Sequence, residues 1–365
     1  MRPVLFVTGH APPDRLGAFR ALHEREDVTF AFFGGRLAHG ARGAPEAELE
    51  QLAHLRVSER EVHALAASGR YRAVVAGTAG RLALPGAWLG ARRAGVPFLL
   101  WSALWSQPRS PAHVLSTVLL RRLYAHADAV VTYGEHVSAY VRARGARNVH
   151  IAVQAVDNHW WAAPSERSLR PAGAEFVALF VGRCTREKGQ QVLIEAWRAS
   201  GFPAPATALV LVGAESGSTR PPAGGAVAVA PDSIVRAGPQ GAAGVRNFYA
   251  AADVLVVPSI VTSTFREPWG LVVNEAFNQK LAVIASDAVG AVAGGLVRHE
   301  RNGLVVPAGD AGALAGALGR LRADPDLAVR LGRAGAEDVR AYTHERWAQG
   351  FSAALASVGA ARERW

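Results

Sequence analysis

The sequence predicts an α/β protein made of two doubly wound domains that face each other across a deep cleft, and three observations lead there. The chain has 365 residues, the length of about two ordinary domains. Short apolar runs alternate with amphipathic ones along both halves, the pattern of strands interleaved with helices in a parallel sheet. Between the halves, from Asp157 to Glu175, this pattern breaks into Asn158, two tryptophans, Pro164, Pro171 and Gly173, which reads as a linker. The expected division is 1–158, a linker at 159–174, a second domain at 175–340, and a C-terminal segment at 341–365 that packs back on the first domain.

In the first half Pro3 to Thr8, Val28 to Phe33, Ala73 to Ala76, Phe98 to Trp101 and Ala129 to Thr132 read as buried strands. Gly17 to His23 and Ala112 to His126 read as helices between them. Beyond the linker, Phe176 to Val181, Ala208 to Val212, Val254 to Val257 and Ala282 to Ala285 read as strands, and Gln190 to Arg198 as a helix. Ala214 to Pro231 is rich in Gly, Ser, Pro and Ala and predicts a surface loop. Thr343 to Val358 predicts the returning helix. In such sheets ligands bind at the carboxyl ends of the strands.

Composition narrows the function classes. The net charge is +10, yet only Lys188 and Lys280 are lysines and the remaining basic residues are arginines. That ratio, in a chain crowded with Ala and Gly, reads as a compositional bias, with an anionic partner as the alternative. One cysteine, Cys184, closes no intramolecular disulfide and builds no thiolate metal site. The apolar run Pro3 to Val7 is too short for a secretory signal. Val96 to Trp105 falls far below the roughly 20 residues that span a bilayer. The expected location is cytoplasmic, with a peripheral position at the inner face of the membrane as an option.

Two segments carry chemistry. After the strand Phe176 to Val181 comes Gly182-Arg183-Cys184-Thr185-Arg186-Glu187-Lys188-Gly189. Glycines at a strand-to-helix turn admit an anion close to the backbone, and Arg and Lys supply charge-assisted hydrogen bonds. This predicts a diphosphate cradle, distinct from a P-loop because no Ser or Thr follows the lysine for magnesium. A lysine in so arginine-rich a chain points to a site that needs a compact charge. The second segment is Arg266-Glu267-Pro268-Trp269-Gly270-Leu271-Val272-Val273-Asn274-Glu275-Ala276. Its glutamates, eight residues apart, lie either two turns along one helix face or at a helix start and inside it. Carboxylates suit sugar hydroxyls because each accepts two or more hydrogen bonds.

Phe180-Val181-Gly182-Arg183, Glu187-Lys188-Gly189, Ala250-Ala251-Ala252-Asp253, Val257-Pro258-Ser259, Glu267 to Glu275, Ala285-Ser286-Asp287 and Gly303-Leu304-Val305-Val306-Pro307 together resemble the donor domain of family 4 retaining glycosyltransferases. The likeness is dense from Val156 to Asp310 and thin before that. It implies the GT-B architecture, two Rossmann-like domains facing across the cleft. It also implies transfer of a sugar from a nucleotide-diphosphate sugar, UDP- or GDP-linked, to a hydroxyl or amine acceptor in glycan, glycolipid or natural-product biosynthesis, without other cofactors.

By the same resemblance Arg183 and Lys188 would bind the diphosphate, and Glu267 would hold the transferred sugar beside the N–H groups of Trp269, Gly270 and Leu271. Glu275 would bind the ribose. Gly17 falls where the family brings a glycine-bearing loop near the phosphates, and Arg236 lies in the segment expected near the base. Two positions depart from the pattern. The family usually carries a His where this chain reads Leu100-Trp101-Ser102-Ala103-Leu104-Trp105, leaving His113 or His10 to take its place. Pro268 replaces a frequent glycine and removes one N–H donor.

Breaking the bond between sugar and phosphate leaves negative charge on the nucleotide, which cations stabilise without a metal. The one Asp-x-Asp sequence, Asp324-Pro325-Asp326, lies outside the segments that carry the resemblance, so the resemblance implies a metal-independent reaction. Retention by same-face attack, with a phosphate oxygen taking the acceptor proton, rests on the resemblance alone. For the acceptor, the candidates are His10, Trp101, Ser102, Trp105 and His136. The apolar stretch Val114 to Leu123 with Arg121 and Arg122 reads either as a core helix with a basic end or as a membrane-grazing surface. No nucleic acid partner is expected. The alternatives are a nucleotide-sugar epimerase of the same architecture and a basic, non-catalytic protein that binds nucleotides or anionic surfaces.

Overall fold

The computed structural model describes residues 2–34, 37–38, 41–42, 44–109, 111–213 and 233–362. The chain divides into two compact units, Met1–Asp157 with Tyr342–Trp365, and Asn158–Ala341. Each is an α/β layer structure on one main parallel sheet.

In the first unit seven parallel strands run in the order His54–Arg56, Val28–Phe32, Val4–Thr8, Ala73–Gly77, Phe98–Ser102, Ala129–Thr132, Val149–Ile151. The central strands are buried on both faces, which is why they read as continuous apolar runs rather than alternating ones. On one face Phe6, Phe19, Phe30, Trp347 and Phe351 pack with the helices Leu16–Glu26 and His344–Ser357. On the other face Leu5, Val74, Leu100, Leu123, Val130 and Val137 join the helices Glu61–Ala66, Ala83–Ala94, Pro111–His126 and Glu135–Arg142. Each of these large side chains contributes about 1.5–3 kcal/mol by leaving water.

The returning helix is an integral part of this core. Thr343 caps it, accepting the Arg346 N–H at 3.1 Å, and Trp347 and Phe351 are fully buried. Its first residue explains a glycine: a Cβ on Gly17 would lie 2.2 Å from the His344 ring. Gly17 stands in the first turn of Leu16–Glu26, in the helix expected from Gly17 to His23, and its missing side chain makes room for an imidazole. Burial pushes the His344 ring's pKa down, outweighing the nearby Asp157 and Glu345. Gly17→Ala is expected to destabilise the chain by about 1–3 kcal/mol, visible in thermal unfolding, and the pair Gly17→Ala with His344→Ala to recover much of that loss.

In the second unit six parallel strands run in the order Ile234–Gly238, Thr207–Val212, Phe176–Val181, Val254–Val257, Ala282–Ser286, Leu304–Val306. The order reverses direction between Phe176–Val181 and Val254–Val257. Such a switch point splays the two following loops apart at the strand C-termini and makes a natural ligand crevice.

The segment read as a linker opens on a helix, Asn158–Ala162. Trp161 packs edge-on to Tyr249 at 5.8 Å, and the Gln279 side chain donates to the Trp161 carbonyl. Two large aromatics there had an apolar surface to cover, and composition alone hid it. The predicted loop Ala214 to Pro231 lies outside the described residues.

Candidate functional site

The site grows from the two loops at the second unit's switch point. In the first loop, residues Arg186–Lys188 form one 3-10 turn. The Thr185 hydroxyl donates to Glu187 at 2.7 Å, and Arg183 lies 3.7 Å from the same carboxylate. Burial pushes the Glu187 carboxyl up, but the Thr185 hydrogen bond with the charges of Arg183 and Lys188 outweighs it and holds the pKa below its usual value. The turn is fastened to the second loop from two sides. The Ile260 N–H donates to the Glu187 carbonyl at 2.9 Å. Gly189 has φ +70°, and a Cβ there would meet the Pro258 carbonyl at 1.8 Å. Only glycine fits both the left-handed backbone and the contact.

This fastening delivers Lys188 to Glu267. The Lys188 Nζ lies 2.5 Å from Glu267 Oε2 and 5.9 Å from the centre of the Phe265 ring. The Ser259 hydroxyl donates to the same Oε2 at 3.2 Å. Glu267 is 6% exposed, so its charge is held by a cation and a hydroxyl rather than by bulk water. Arg183, beside Glu187, remains 41% exposed at its side chain and open to an anion.

The Glu267 loop is held from behind by the helix Gly290–Ala293. The N–H of Gly290 donates to the Glu267 carbonyl at 3.1 Å and that of Ala291 to the Trp269 carbonyl at 2.8 Å. Trp269 is 2% exposed, and its indole donates to Asn274 at 2.8 Å. Its side chain is an anchor, leaving only its backbone for a ligand role. Gly270 turns the chain at φ +91°, and the half-buried Leu271 leads into the helix Val272–Asn278. Glu267 lies ahead of that helix and Glu275 in its first turn, so the reading in which both share a helix face is corrected.

Glu275 has a partner that sequence reasoning missed. The Tyr249 hydroxyl donates to Glu275 Oε2 at 2.7 Å. Burial, reinforced by the adjacent Glu275 charge, pushes the Tyr249 phenol well above its usual pKa. It therefore stays a donor across physiological pH and fixes one carboxylate oxygen of Glu275. Tyr249→Phe is expected to weaken nucleotide binding several-fold, about 1 kcal/mol for one hydrogen bond, with turnover at saturation unchanged; titration calorimetry and kinetics separate the two.

The remaining expected residues are scattered. Arg236 is exposed on the edge strand Ile234–Gly238, two strands from Phe176–Val181. In the first unit His10 is half-buried just beyond Val4–Thr8. Trp101 is half-buried among Phe6, Trp347 and Phe351, with ring centroids 5.6, 5.8 and 6.0 Å away. Ser102 is corrected: it is fully buried and bonded to Tyr124 at 2.9 Å, so it faces the core and not an acceptor. Trp105 and His136 are half-buried and stack edge to face at 4.8 Å. His113 falls in the helix Pro111–His126, and its side chain lies outside the described residues.

One further residue was overlooked. Arg15 is 9% exposed and lies over the rings of Trp101 and Tyr133 at 5.5 and 5.4 Å. It closes the 3-10 turn Pro13–Arg15 that follows the first strand. Among the described residues, no group of three or more His, Cys, Asp or Glu is placed to hold a metal ion. Among them, too, no helix is long and apolar enough to cross a membrane.

With this geometry in place, comparison with known proteins is informative. Residues 175–324 match the family Glycosyl transferases group 1. No curated protein matches the chain. Among solved structures, Anabaena Alr3699/HepE in complex with UDP superposes with a TM-score of 0.76 at 19% identity, covering 97% of this chain and all (100%) of that one. Sucrose-phosphate synthase from Thermosynechococcus elongatus gives 0.72 at 20% identity, over 99% and 100%. An α,α-trehalose-phosphate synthase (UDP-forming) from Burkholderia vietnamiensis gives 0.68 at 14%, over 99% and 98%. The chain therefore has the GT-B fold of two Rossmann-like α/β units, and the stretch similar to glycosyl transferases group 1 lies within its second unit.

Proposed function

We propose that this protein is a retaining, metal-independent glycosyltransferase of family 4 that moves a sugar from a UDP-sugar to a hydroxyl or amine acceptor. The observation that carries the reading is the Lys188 and Glu267 pair, 2.5 Å apart at the switch point of the second sheet, with Arg183 on the same loop as Lys188. One similar chain, Anabaena Alr3699/HepE, is solved with UDP, with UDP-glucose and with UDP and glucose, which favours uridine as the base.

In this reading Arg183 and Lys188 bind the diphosphate and stabilise the charge that develops on it as the bond to the sugar breaks. Glu267, held by Lys188 and Ser259, orients the sugar through its hydroxyls. Glu275, positioned by Tyr249, takes the ribose. Gly270 and the backbone of Trp269 and Leu271 approach the sugar or phosphate. The departing phosphate oxygen accepts the proton of the acceptor, which attacks from the face the nucleotide leaves. The acceptor belongs to the first unit, at the carboxyl edge near His10, Arg15 and Trp101.

Slow hydrolysis of UDP-glucose tests retention without knowledge of the acceptor, because water takes the acceptor's place. Followed by proton NMR, the sugar released first is α-glucose, and chelators leave the rate unchanged. Initial release of β-glucose overturns the retaining assignment.

A further inference from the structure

The sheet order places the crossover helices Ala83–Ala94 and Pro111–His126 side by side on one face of the first unit, where both bury their inner sides in the same core. Their outer sides repeat one device. On the first, Leu89 is 50% exposed and is followed at i+3 and i+4 by the exposed Arg92 and Arg93. On the second, Val118 is 67% exposed and is followed at the same spacing by the exposed Arg121 and Arg122. Positions i, i+3 and i+4 share a helix face. Leu82, 52% exposed, lies seven residues before Leu89 and extends the apolar stripe.

The arginine bias of the chain explains arginines but does not explain what is missing around them. From residue 62 to residue 127 there is no Asp or Glu, whereas at the chain's average of 30 acidic residues in 365 such a stretch carries about five. The nearest acids are hydrogen-bonded elsewhere. Glu59 accepts the N–H groups of Leu82 and Ala83 at 2.6 and 3.1 Å, Glu61 is tied to Ser58 at 2.6 and 2.8 Å, Asp128 accepts the Phe98 N–H at 2.8 Å, and Glu135 pairs with Arg142 at 2.6 Å. Among the described residues, Arg92, Arg93, Arg121 and Arg122 form no ion pair.

We infer that the outer face of these two helices docks on the surface of an anionic lipid bilayer. Guanidinium pairs meet the lipid phosphates, while Leu82, Leu89 and Val118 enter the headgroup boundary between them. The interleaved aliphatics separate this surface from one built for a nucleic acid, which rewards charge and offers exposed aliphatics nothing in return. The inference concerns where the protein sits and is independent of the sugar it transfers.

The test is co-sedimentation of the full chain with vesicles of phosphatidylcholine alone or mixed with phosphatidylglycerol. Expected is binding to the mixed vesicles only, weakened by salt. The quadruple change of Arg92, Arg93, Arg121 and Arg122 to Glu should lower it by at least about tenfold. Leu89→Ser with Val118→Ser should weaken binding several-fold at unchanged net charge. All six positions are on the surface, so thermal unfolding should be preserved. Equal binding to both vesicles, no binding, or indifference to the arginine changes overturns the proposal. So does a double-stranded DNA competitor that binds in preference to the vesicles while the Leu89 and Val118 changes have no effect.

Discussion

Lys188→Ala lowers turnover by about 10²–10³-fold, the size expected when one preorganised charge partner of a developing anion is removed. The same change leaves the Glu267 carboxylate 6% exposed with the Ser259 hydroxyl as its remaining partner from this cluster. Removing one partner of a buried ion pair is costly, so the melting temperature falls as well. The two effects separate in a double variant. Lys188→Met with Glu267→Gln removes both charges, so stability recovers while turnover stays at or below the Lys188→Ala level. Lys188→Arg recovers little turnover, because a planar guanidinium does not fit the space of a compact ammonium 2.5 Å from Glu267. If the double variant regains activity along with stability, the pair serves the fold alone.

Gly290→Ala is expected to be the most damaging change that touches no charged group. A Cβ there would sit 2.0 Å from the Pro268 carbonyl and 2.8 Å from the Trp269 Cα, both backbone atoms. The loop carrying Glu267 has to move, and it cannot move freely while Trp269 is anchored to Asn274. The expected cost is about 1–3 kcal/mol of stability. Turnover should fall further, by ten- to about a hundredfold, since displacing a positioned group by an ångström is enough for that. Gly316→Ala is the control. It lies in the helix Ala311–Ala323 with open space around its Cβ, so alanine there stabilises by about 0.5–1 kcal/mol and leaves turnover alone. Thermal unfolding and initial rates on both variants decide the matter.

What the sequence revealed and what it concealed follow from range. The inner strands were legible because burial on both faces writes a continuous apolar run. The edge strands His54–Arg56 and Val149–Ile151 were not, being three residues long and partly polar, with exposed positions. Arg183, Lys188, Glu267 and Glu275 were legible as a pattern of spacing and chemistry. Their pairing was not. Lys188 and Glu267 are 79 residues apart and meet only because Phe176–Val181 and Val254–Val257 are neighbours in the sheet. Tyr249 looked like an ordinary core aromatic, and its 26-residue reach to Glu275 depends on how two helices pack. Ser102 was misread because successive strand residues face opposite sides: the half-buried Trp101 lies on one face of the sheet and Ser102 against Tyr124 on the other. The packing reason for a glycine at position 17 was hidden because the ring it accommodates arrives more than 300 residues later.

The central claim is that Arg183, Lys188 and Glu267 form a nucleotide-sugar site with divided roles, the cations on the diphosphate and the carboxylate on the sugar. Titration calorimetry of UDP and of UDP-glucose into the wild type, Lys188→Ala and Glu267→Ala tests it most directly. The account predicts saturable binding of both ligands to the wild type and a loss of at least about tenfold for both, roughly 1.4 kcal/mol, in Lys188→Ala. In Glu267→Ala, UDP affinity should stay near that of the wild type while the advantage of UDP-glucose over UDP disappears. Unchanged affinity for both ligands in both variants would contradict it.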